Sequence, residues 1–331
     1  MIAFLASPVI QLNPLQIIQY ILSKQQPYAE LQLYIMDDAG EKTQRINKSV
    51  LPENIDTLIW SPDGQELIAS SGSKLYRIER DSLHISLVSF SPMHQAAITV
   101  IDWQEGDKLI MTYRLAHETY WYSMSLSRGT STLLAHAPTT VIKSYNSYGQ
   151  VMIDPHTKAL FYDAPHMTDP QRLESHHTAL QLTVSGLPVW SPDGRFLALP
   201  CQGPYTEQLY VLSCDPFELV LLGAIAFESP LVWSSDSTQL AYIVPEASQS
   251  VLAVNTPRNP GALLLTALES GSADGALHSV LTWAADQQHL VYGHMSDIRH
   301  DLHVYKVNIA TRHQVQLTTA SYALITRIVC A

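Results

Sequence analysis

The chain has 331 residues, of which 46% are hydrophobic and 15% are charged, so it is long and apolar enough to bury a sizeable core. Its 19 Lys and Arg against 30 Asp and Glu give a formal charge of −11, which disfavours nucleic acid as a partner because nucleic-acid binders carry clustered basic residues. No uninterrupted apolar run is long enough to span a membrane, and the first residues lack an export pattern. These features predict a soluble cytoplasmic protein with neither a nucleic-acid nor a membrane partner.

An internal repeat organises the sequence. Residues 58–64 read L-I-W-S-P-D-G and residues 188–194 read P-V-W-S-P-D-G, and an apolar run follows each of them two residues later. Weaker copies surround further anchor residues, and the whole set in chain order is Trp60, Trp103, Ile153, Trp190, Trp233 and Trp283. The anchors are 37 to 50 residues apart, in the range of one four-stranded propeller blade, roughly 40 to 50 residues.

Each copy predicts a strand, a tight turn and a second strand. Pro62 presets the backbone of a turn, and Gly64 accepts a positive φ without a Cβ clash. A third strand of the type Leu-Tyr-x-Val and a fourth strand after a polar turn complete each repeat, as in a propeller blade. Because the Trp anchors recur once per repeat, we expect them to pack between adjacent sheets rather than to form an aromatic ligand cage.

The two termini predict how the ring closes. Residues 324–331 resemble an innermost strand with Cys330 at the anchor position, and residues 1–7 resemble a second strand that lacks its first. Joined in one blade, they would remove the exposed edge of an open ring. Six internal anchors and this composite one predict an all-β, single-domain chain (1–331), a seven-bladed propeller of four-stranded antiparallel blades.

One repeat is irregular. Around Ile153 we expect the innermost strand at 151–153, the second at 160–162 and the outer strand at 179–184, with a poorly defined strand between them. Residues 164–177 have weak strand propensity. Six blades, with this region as an insertion, is the structural alternative.

The W-S-P-D-G turn, followed by an apolar strand and an L-Y-x-V strand, resembles the TolB-like family of propeller repeats. The same repeats occur in the propeller domains of prolyl oligopeptidase-type peptidases. The match is strong at Trp60 and Trp190, and the Gly-His and Trp-Asp signatures of WD repeats are absent. The resemblance implies a toroidal scaffold that usually binds other macromolecules, although fold alone does not determine function.

In such a ring, the blade-to-blade connections and the loops between second and third strands lie on one face, here called the loop-rich face. The Ser-Pro-Asp-Gly turns lie on the other. The long segments predicted on the loop-rich face are 8–30, 47–56, 89–97, 135–147, 164–177 and 267–279. Because loops on a rigid scaffold carry function, this face is the predicted binding surface.

The insertion 8–30 in the first blade predicts a helix over 14–24, with Asn13 as its N-cap and Pro14 at its first position. Its apolar face could meet a partner or pack on the propeller itself. The candidate partner-binding residues are Leu15, Ile18, Tyr20, Leu22, His166 and His176.

Chemical motifs are scarce. His294, His300 and His303 crowd one region of the last repeat, but their spacing follows no established metal-ligand pattern, so we expect a solvated hairpin and no metal. Three cysteines, Cys201, Cys214 and Cys330, are too irregular for a disulfide framework or a zinc site and predict ordinary buried thiols. No cofactor is expected.

No nucleophile elbow, phosphate-binding loop or dinucleotide motif is present. Asp56, Asp102 and Arg327, on or just before predicted innermost strands, either line the central channel or hold strand ends and neighbouring blades. The leading hypothesis is a non-enzymatic scaffold that binds a protein partner through its loop-rich face. The alternatives are a propeller hydrolase or lyase acting on a sugar or lactone in the channel, and a small-ligand sensor.

Overall fold

The computed structural model describes the chain except for residues 9–30, 47–50, 53–54, 89–97, 105–106, 116–117, 139–141, 147–148, 154–159, 164–170, 173–181, 187, 215, 247–248, 269–279, 296–301 and 321. Regular secondary structure in the described part consists of β-strands, so the all-β prediction is confirmed. No helix long and apolar enough to cross a membrane is found there. The predicted helix over 14–24 lies outside the described residues.

The strands follow one another in sets of four. The first three are β1 (Ile2–Pro8), β2 (Gln32–Met36) and β3 (Gln44–Arg45). Blade 1 contains β4 (Thr57–Trp60), β5 (Glu66–Ser71), β6 (Lys74–Glu79) and β7 (Ile85–Leu87). Blade 2 contains β8 (Ile98–Gln104), β9 (Lys108–Leu115), β10 (Glu118–Ser125) and β11 (Thr130–Pro138). Blade 3 contains β12 (Ile142–Asn146), β13 (Gly149–Ile153), β14 (Leu160–Asp163) and β15 (Gln171–Arg172).

The second half of the chain continues this arrangement. Blade 4 contains β16 (Val189–Trp190), β17 (Phe196–Gln202), β18 (Glu207–Cys214) and β19 (Phe217–Ala224). Blade 5 contains β20 (Val232–Trp233), β21 (Leu240–Glu246), β22 (Gln249–Asn255) and β23 (Leu263–Leu268). The last strands are β24 (Leu281–Trp283), β25 (His289–Met295), β26 (Leu302–Asn308), β27 (Gln314–Gln316) and β28 (Tyr322–Cys330).

Hydrogen bonding groups the described strands into six sheets, not seven. Blades 1 to 5 are four-stranded, and the sixth sheet has eight strands in the order β24-β25-β26-β28-β1-β2-β3, with β27 on β26. The prediction of seven separate blades is therefore wrong, and the count of six given by the alternative is confirmed. The alternative's insertion is not, because the region around Ile153 forms blade 3. The physical reason for the lower count is one residue pair: Leu302 of β26 lies opposite Tyr322 of β28, and this pair joins the closing strands to the last repeat in one sheet.

Closure by the two termini is confirmed. β1 and β28 pair antiparallel, with Ile2 opposite Cys330 and Ala3 opposite Val329. The backbone N–H of Ala331 also donates to the carbonyl oxygen of Met1, 2.9 Å away. Because β1 has β28 on one side and β2 on the other, the amino-terminal strand leaves no free edge.

Blade 3 corrects the predicted assignment of its strands. Its innermost strand is β12, which lies in the segment 135–147 predicted as a loop, and Ile153 ends the second strand rather than the innermost one. The predicted outer strand over 179–184 is also wrong, because Val184 forms a bridge with Cys201 of β17 in blade 4. The repeat has neither the Trp anchor nor the Ser-Pro-Asp-Gly turn of the strong copies, so the prediction assigned its first two strands one position too far inward.

The core lies between neighbouring sheets, where four Trp anchors pack as predicted, namely Trp60, Trp103, Trp233 and Trp283. Trp190 is half-buried and packs with residues of its own blade and the segment before it. Trp60 packs with Leu5 and Val329 of the eight-stranded sheet, and Trp233 packs with Val211 of blade 4. Three anchors also donate their indole N–H to the backbone of the preceding sheet. The donor and acceptor pairs are Trp60 with Val329, Trp233 with Val189 and Trp283 with Val232, at 3.3, 3.0 and 2.9 Å.

The turns of adjacent sheets are also connected where the repeat has lost its glycine. Ser237 and Gln287 occupy the turn position of Gly64, and all three have a positive φ, of 62°, 54° and 65°. The Ser237 Oγ accepts a hydrogen bond from the Asp193 N–H at 3.0 Å, and the Gln287 Oε1 accepts one from the Ser235 N–H at 2.8 Å. Each side chain thus gains a contact to the preceding turn that glycine could not make.

Candidate functional site

Two short connections of blade 4 lie side by side on the loop-rich face. Residues 203–206 join β17 to β18, and residues 225–231 lead from β19 into blade 5. The backbone N–H of Ile225 donates to the carbonyl oxygen of Glu207 at 3.0 Å, and the N–H of Ala226 donates to that of Ile243 in blade 5 at 2.9 Å. The two connections therefore form one surface across blades 4 and 5.

This surface carries the two most exposed large apolar side chains of the described residues. Tyr205 is 97% exposed and Phe227 is 71% exposed. The other exposed large apolar residues lie on the fourth, outermost strands, and they are Leu87, Leu133, Leu263, Leu264 and Val315. Outer strands face solvent by construction, whereas nothing in the propeller architecture requires an aromatic residue at a loop tip. We call the loop 203–206 together with the turn 226–229 the aromatic patch.

The loop that presents Tyr205 is tightly constrained. It spans four residues between the paired residues Gln202 and Glu207. A Cβ atom on Gly203 would come within 2.3 Å of the carbonyl oxygen of Thr206, so only glycine fits there. Pro204 fixes its own φ directly before the tyrosine. The exposed ring is thus presented on a backbone with little freedom, which lowers the entropic cost of binding.

The turn that presents Phe227 is constrained at its base. The Ser229 N–H donates to the Ala226 carbonyl oxygen at 3.1 Å, and the Ser229 Oγ accepts a hydrogen bond from the Ile243 N–H at 2.8 Å. Glu228, at the turn's third position, has a φ of 53°, in the left-handed region. A non-glycine residue there costs roughly 1 kcal/mol.

Acidic residues surround the patch. Glu228 is exposed, Glu207 is half-buried at the base of the loop, and Glu246 is exposed at the end of β21, the next hairpin on this face. The sequence from 196 to 257, which contains both connections and this hairpin, has neither lysine nor arginine nor histidine. The surface therefore combines exposed aromatic rings with three acidic side chains, and the segment 196–257 that forms it supplies no basic residue.

Most of the residues chosen from sequence cannot be compared with this surface. Leu15, Ile18, Tyr20, Leu22, His166, His176 and His300 all lie outside the described residues. Their roles stay predictions.

The two described histidines of the last repeat form a packed cluster. His294 of β25 and His303 of β26 lie opposite each other in the sheet, and both rings contact Tyr305 with centroids 5.8 and 6.4 Å away. His303 is 8% exposed, and its Nδ1 accepts a hydrogen bond from the Gln316 side-chain amide at 3.1 Å. Within the described residues no group of three His, Cys, Asp or Glu is placed to hold a metal ion.

The charged residues of the innermost strands have structural contacts. The Asp56 carboxylate accepts a hydrogen bond from the Gly72 N–H at 2.7 Å, so it holds the start of β4 against blade 1's own hairpin. Arg327, on β28, is exposed. Partial desolvation by the surrounding protein lowers the pKa of its guanidinium group, and the negative charge of Asp56 acts in the opposite direction. The Asp102 side chain lies outside the described part of the structure.

Two of the three thiols are kept protonated by burial. All three cysteines are free, with Cys201 buried and the other two half-buried. Burial raises the pKa of the Cys201 thiol and of the Cys330 thiol to about 12, so both stay protonated near neutral pH.

Sequence reasoning missed Tyr205 and Phe227 because each stands alone between strands and belongs to no motif. The sequence Gly203-Pro204-Tyr205 offered a usable signal. Gly and Pro directly before an aromatic residue indicate a tight turn that presents the ring, and the surrounding chain has no basic residues.

No family model matches this sequence, and no curated protein matches it. Solved structures match its fold. An oligogalacturonate lyase in complex with manganese is 15% identical, with a TM-score of 0.59 over 85% of this chain and 83% of that one. TolB from Acinetobacter baumannii is 13% identical, with a TM-score of 0.48 over 79% of this chain and 62% of TolB, less than two thirds of its length.

The WD40 domain of SCAP from fission yeast is 10% identical, with a TM-score of 0.46 over 87% of this chain and 81% of that one. TolB and a WD40 domain are thus among the structures similar to this chain. At these identities the likeness concerns the fold alone, which an enzyme shares with other proteins.

Proposed function

We propose that this protein is a non-enzymatic scaffold that binds a protein partner in the cytoplasm through the loop-rich face of blades 4 and 5. The observation that carries the proposal is the exposure of Tyr205 and Phe227, at 97% and 71%, on neighbouring constrained connections. Aromatic residues supply a large share of the binding energy at protein interfaces. Single exposed apolar residues need no explanation, but two exposed aromatic residues on neighbouring constrained connections favour a binding surface.

The test compares two double variants in a partner-capture experiment. The first is Tyr205→Ala with Phe227→Ala, and the control is Leu87→Ala with Leu133→Ala, which removes exposed apolar side chains from outer strands. Thermal melting of both establishes that each is folded. We expect the first variant to lose a partner that the parent and the control retain.

Hydrogen exchange on the isolated complex gives an independent readout. We expect the bound partner to protect the amides of 203–206 and 226–229. A partner retained equally by both variants, with no protection at the aromatic patch, would exclude this surface.

The second candidate is a small-ligand function in the channel, either a lyase or hydrolase acting on a sugar or lactone or a ligand sensor. Arg327 is the observation that favours it, because a guanidinium group beside the innermost strands suits a ligand carboxylate. The test is calorimetric titration of galacturonate into the parent and into Arg327→Gln. Binding by the parent alone would favour this candidate, and heat from neither protein would exclude galacturonate as its ligand.

A further inference from the structure

The aromatic patch has a charge that restricts what its partner can be. Glu228 sits directly after Phe227, and Glu207 lies two residues after Tyr205, so each exposed ring has a carboxylate beside it in the chain. Glu246 adds a third acidic side chain on the next hairpin, and the chain from 196 to 257 supplies no cation to neutralise them. An acidic partner segment would be repelled, whereas a neutral apolar one would leave these charges without a counterpart.

The chemistry that uses both features is a cation over an aromatic face. A guanidinium or ammonium group is attracted by the negative face of Tyr or Phe and at the same time pairs with a nearby carboxylate. Arginine suits such a site best, because its planar group stacks on a ring while its N–H groups remain free to donate to Glu228 or Glu207.

The strained turn fits this arrangement. Glu228 holds a left-handed φ of 53° although glycine would adopt it more easily. A glycine there would relieve strain but would remove the carboxylate next to the exposed Phe227 ring.

We infer that the aromatic patch binds an arginine-bearing, basic segment of the partner protein, with guanidinium groups stacked on Tyr205 and Phe227 and paired with Glu228 and Glu207. This inference rests on the proposed function and specifies the chemistry of the partner.

The experiment titrates two synthetic peptides into the full chain and follows the heat of binding. One contains Arg-Gly-Gly repeats, and the other has citrulline in place of each arginine, which keeps the planar shape and the length but removes the charge and replaces two N–H donors with a carbonyl oxygen. We expect the arginine peptide to bind at least about tenfold more tightly, with an affinity that falls as salt is raised. Equal binding of the two peptides would overturn the inference.

The site is tested with three variants. Tyr205→Ala with Phe227→Ala should weaken the arginine peptide about tenfold, and Glu228→Gln should weaken it several-fold. The matched control is Glu218→Gln, which removes one negative charge from an exposed position near the start of β19, at the opposite end of the same blade. Equal losses in Glu228→Gln and Glu218→Gln would mean that the peptide follows net charge, and this result would also overturn the inference.

These outcomes separate the inference from the proposed function. Suppose that the captured partner protects the aromatic patch from exchange, but the arginine peptide binds the parent and the variants equally. The scaffold function would then stand, and the basic-segment inference would be overturned. A partner that both double variants retain, without protection of the aromatic patch from exchange, would contradict the proposed function itself.

Discussion

The indole N–H of Trp60 donates to the backbone carbonyl of Val329 at 3.3 Å, across 269 residues of sequence. Trp60 belongs to blade 1 and Val329 to the strand contributed by the carboxyl terminus. One side chain therefore combines packing against the neighbouring sheet with a hydrogen bond to the strand that closes the ring. The same contact recurs at Trp233 and Trp283.

Replacing this tryptophan tests the value of the hydrogen bond. Trp60→Phe keeps most of the packing but leaves the Val329 carbonyl without its donor, so we expect a loss of about 2 kcal/mol in unfolding free energy. Trp60→Ala also removes the ring and should cost about 3 to 5 kcal/mol. Urea denaturation measures both.

Trp103 is a matched control for Trp60, because the two side chains are buried to the same degree, with 7% and 6% of their surface exposed. They differ in that the Trp103 indole nitrogen has no hydrogen-bond partner within the described structure. Trp103→Phe should therefore cost about 1 kcal/mol less than Trp60→Phe. Equal losses at the two positions would show that the bond to Val329 contributes nothing measurable.

A single substitution should make the ring closure covalent. Ile2 lies directly opposite Cys330 across the β1–β28 pair. Directly opposed residues in antiparallel strands are about 4.5 to 5.5 Å apart at Cα, within the range of disulfides. Oxidised Ile2→Cys should form the bond and gain roughly 2 to 4 kcal/mol over its reduced form, because nearly the whole chain becomes one loop.

The reaction needs an added oxidant, because burial raises the pKa of the Cys330 thiol to about 12 and leaves little thiolate. Mass spectrometry under non-reducing conditions detects the bond, and thermal melting with and without reductant measures the gain. Ile2→Ser controls for the lost side-chain volume. A disulfide that forms only after unfolding would contradict the register of the closing strands.

Local turn chemistry and the periodic anchors made much of this fold predictable. Gly64 and Gly194 have φ values of 65° and 73°, as the Ser-Pro-Asp-Gly motif requires, and Ala3 lies opposite Val329 as the termini suggested. Both features follow from short-range residue preferences repeated along the chain. The sheet count did not follow, because one pair, Leu302 with Tyr322, merges two sets of four strands and leaves no pattern in the sequence.

The candidate site was less predictable than the fold. Exposure of Tyr205 depends on how the hairpin of blade 4 ends, and exposure of Phe227 depends on a turn held by Ser229 and Ile243. Neither position belongs to a periodic pattern, so sequence alone does not distinguish an exposed aromatic residue from a buried one there. The sequence interpretation predicted the loop-rich face but placed its candidate residues on the insertion 8–30 and in the segment 164–177.

Ser237 should separate backbone strain from hydrogen bonding in the turns. Ser237→Ala keeps the left-handed φ of 62° and loses the acceptor for the Asp193 N–H, so we expect a loss of about 1 to 2 kcal/mol. Ser237→Gly loses the same acceptor but relieves the strain, so it should be close to the parent. Urea denaturation of the two variants gives the comparison. A glycine variant as unstable as the alanine variant would mean that strain is negligible here.

Asp107 should make the turn face sensitive to acid. Its carboxylate accepts hydrogen bonds from the Ser127 hydroxyl, from the Ser125 hydroxyl at 2.8 Å and from the Ser127 N–H at 3.0 Å. The hydroxyl groups of Ser127 and then Ser125 lower its pKa from 3.8 to about 2. Because the folded-state pKa lies below the unfolded value, this stabilisation is present above about pH 4 and is lost as the pH falls towards about 2.

Carboxyl ¹³C NMR titration measures the Asp107 pKa directly. In Ser127→Ala we expect it to move back towards 3.8, because the largest contribution to the shift is removed. Asp107→Asn should lose less stability than the parent between about pH 4 and pH 2. An unchanged pKa in Ser127→Ala would contradict the role of this hydroxyl group.

Glu228 should show a trade between stability and binding. Glu228→Gly relieves the left-handed strain at a φ of 53°, so we expect a gain of about 1 kcal/mol in unfolding free energy. The same variant removes the carboxylate beside the exposed Phe227, so it should bind the captured partner less tightly than the parent does. Glu228→Gln keeps the side-chain length and the strain, and therefore should lose binding without gaining stability. A glycine variant that is both more stable and a better binder would show that the acidic residue has no role in the patch.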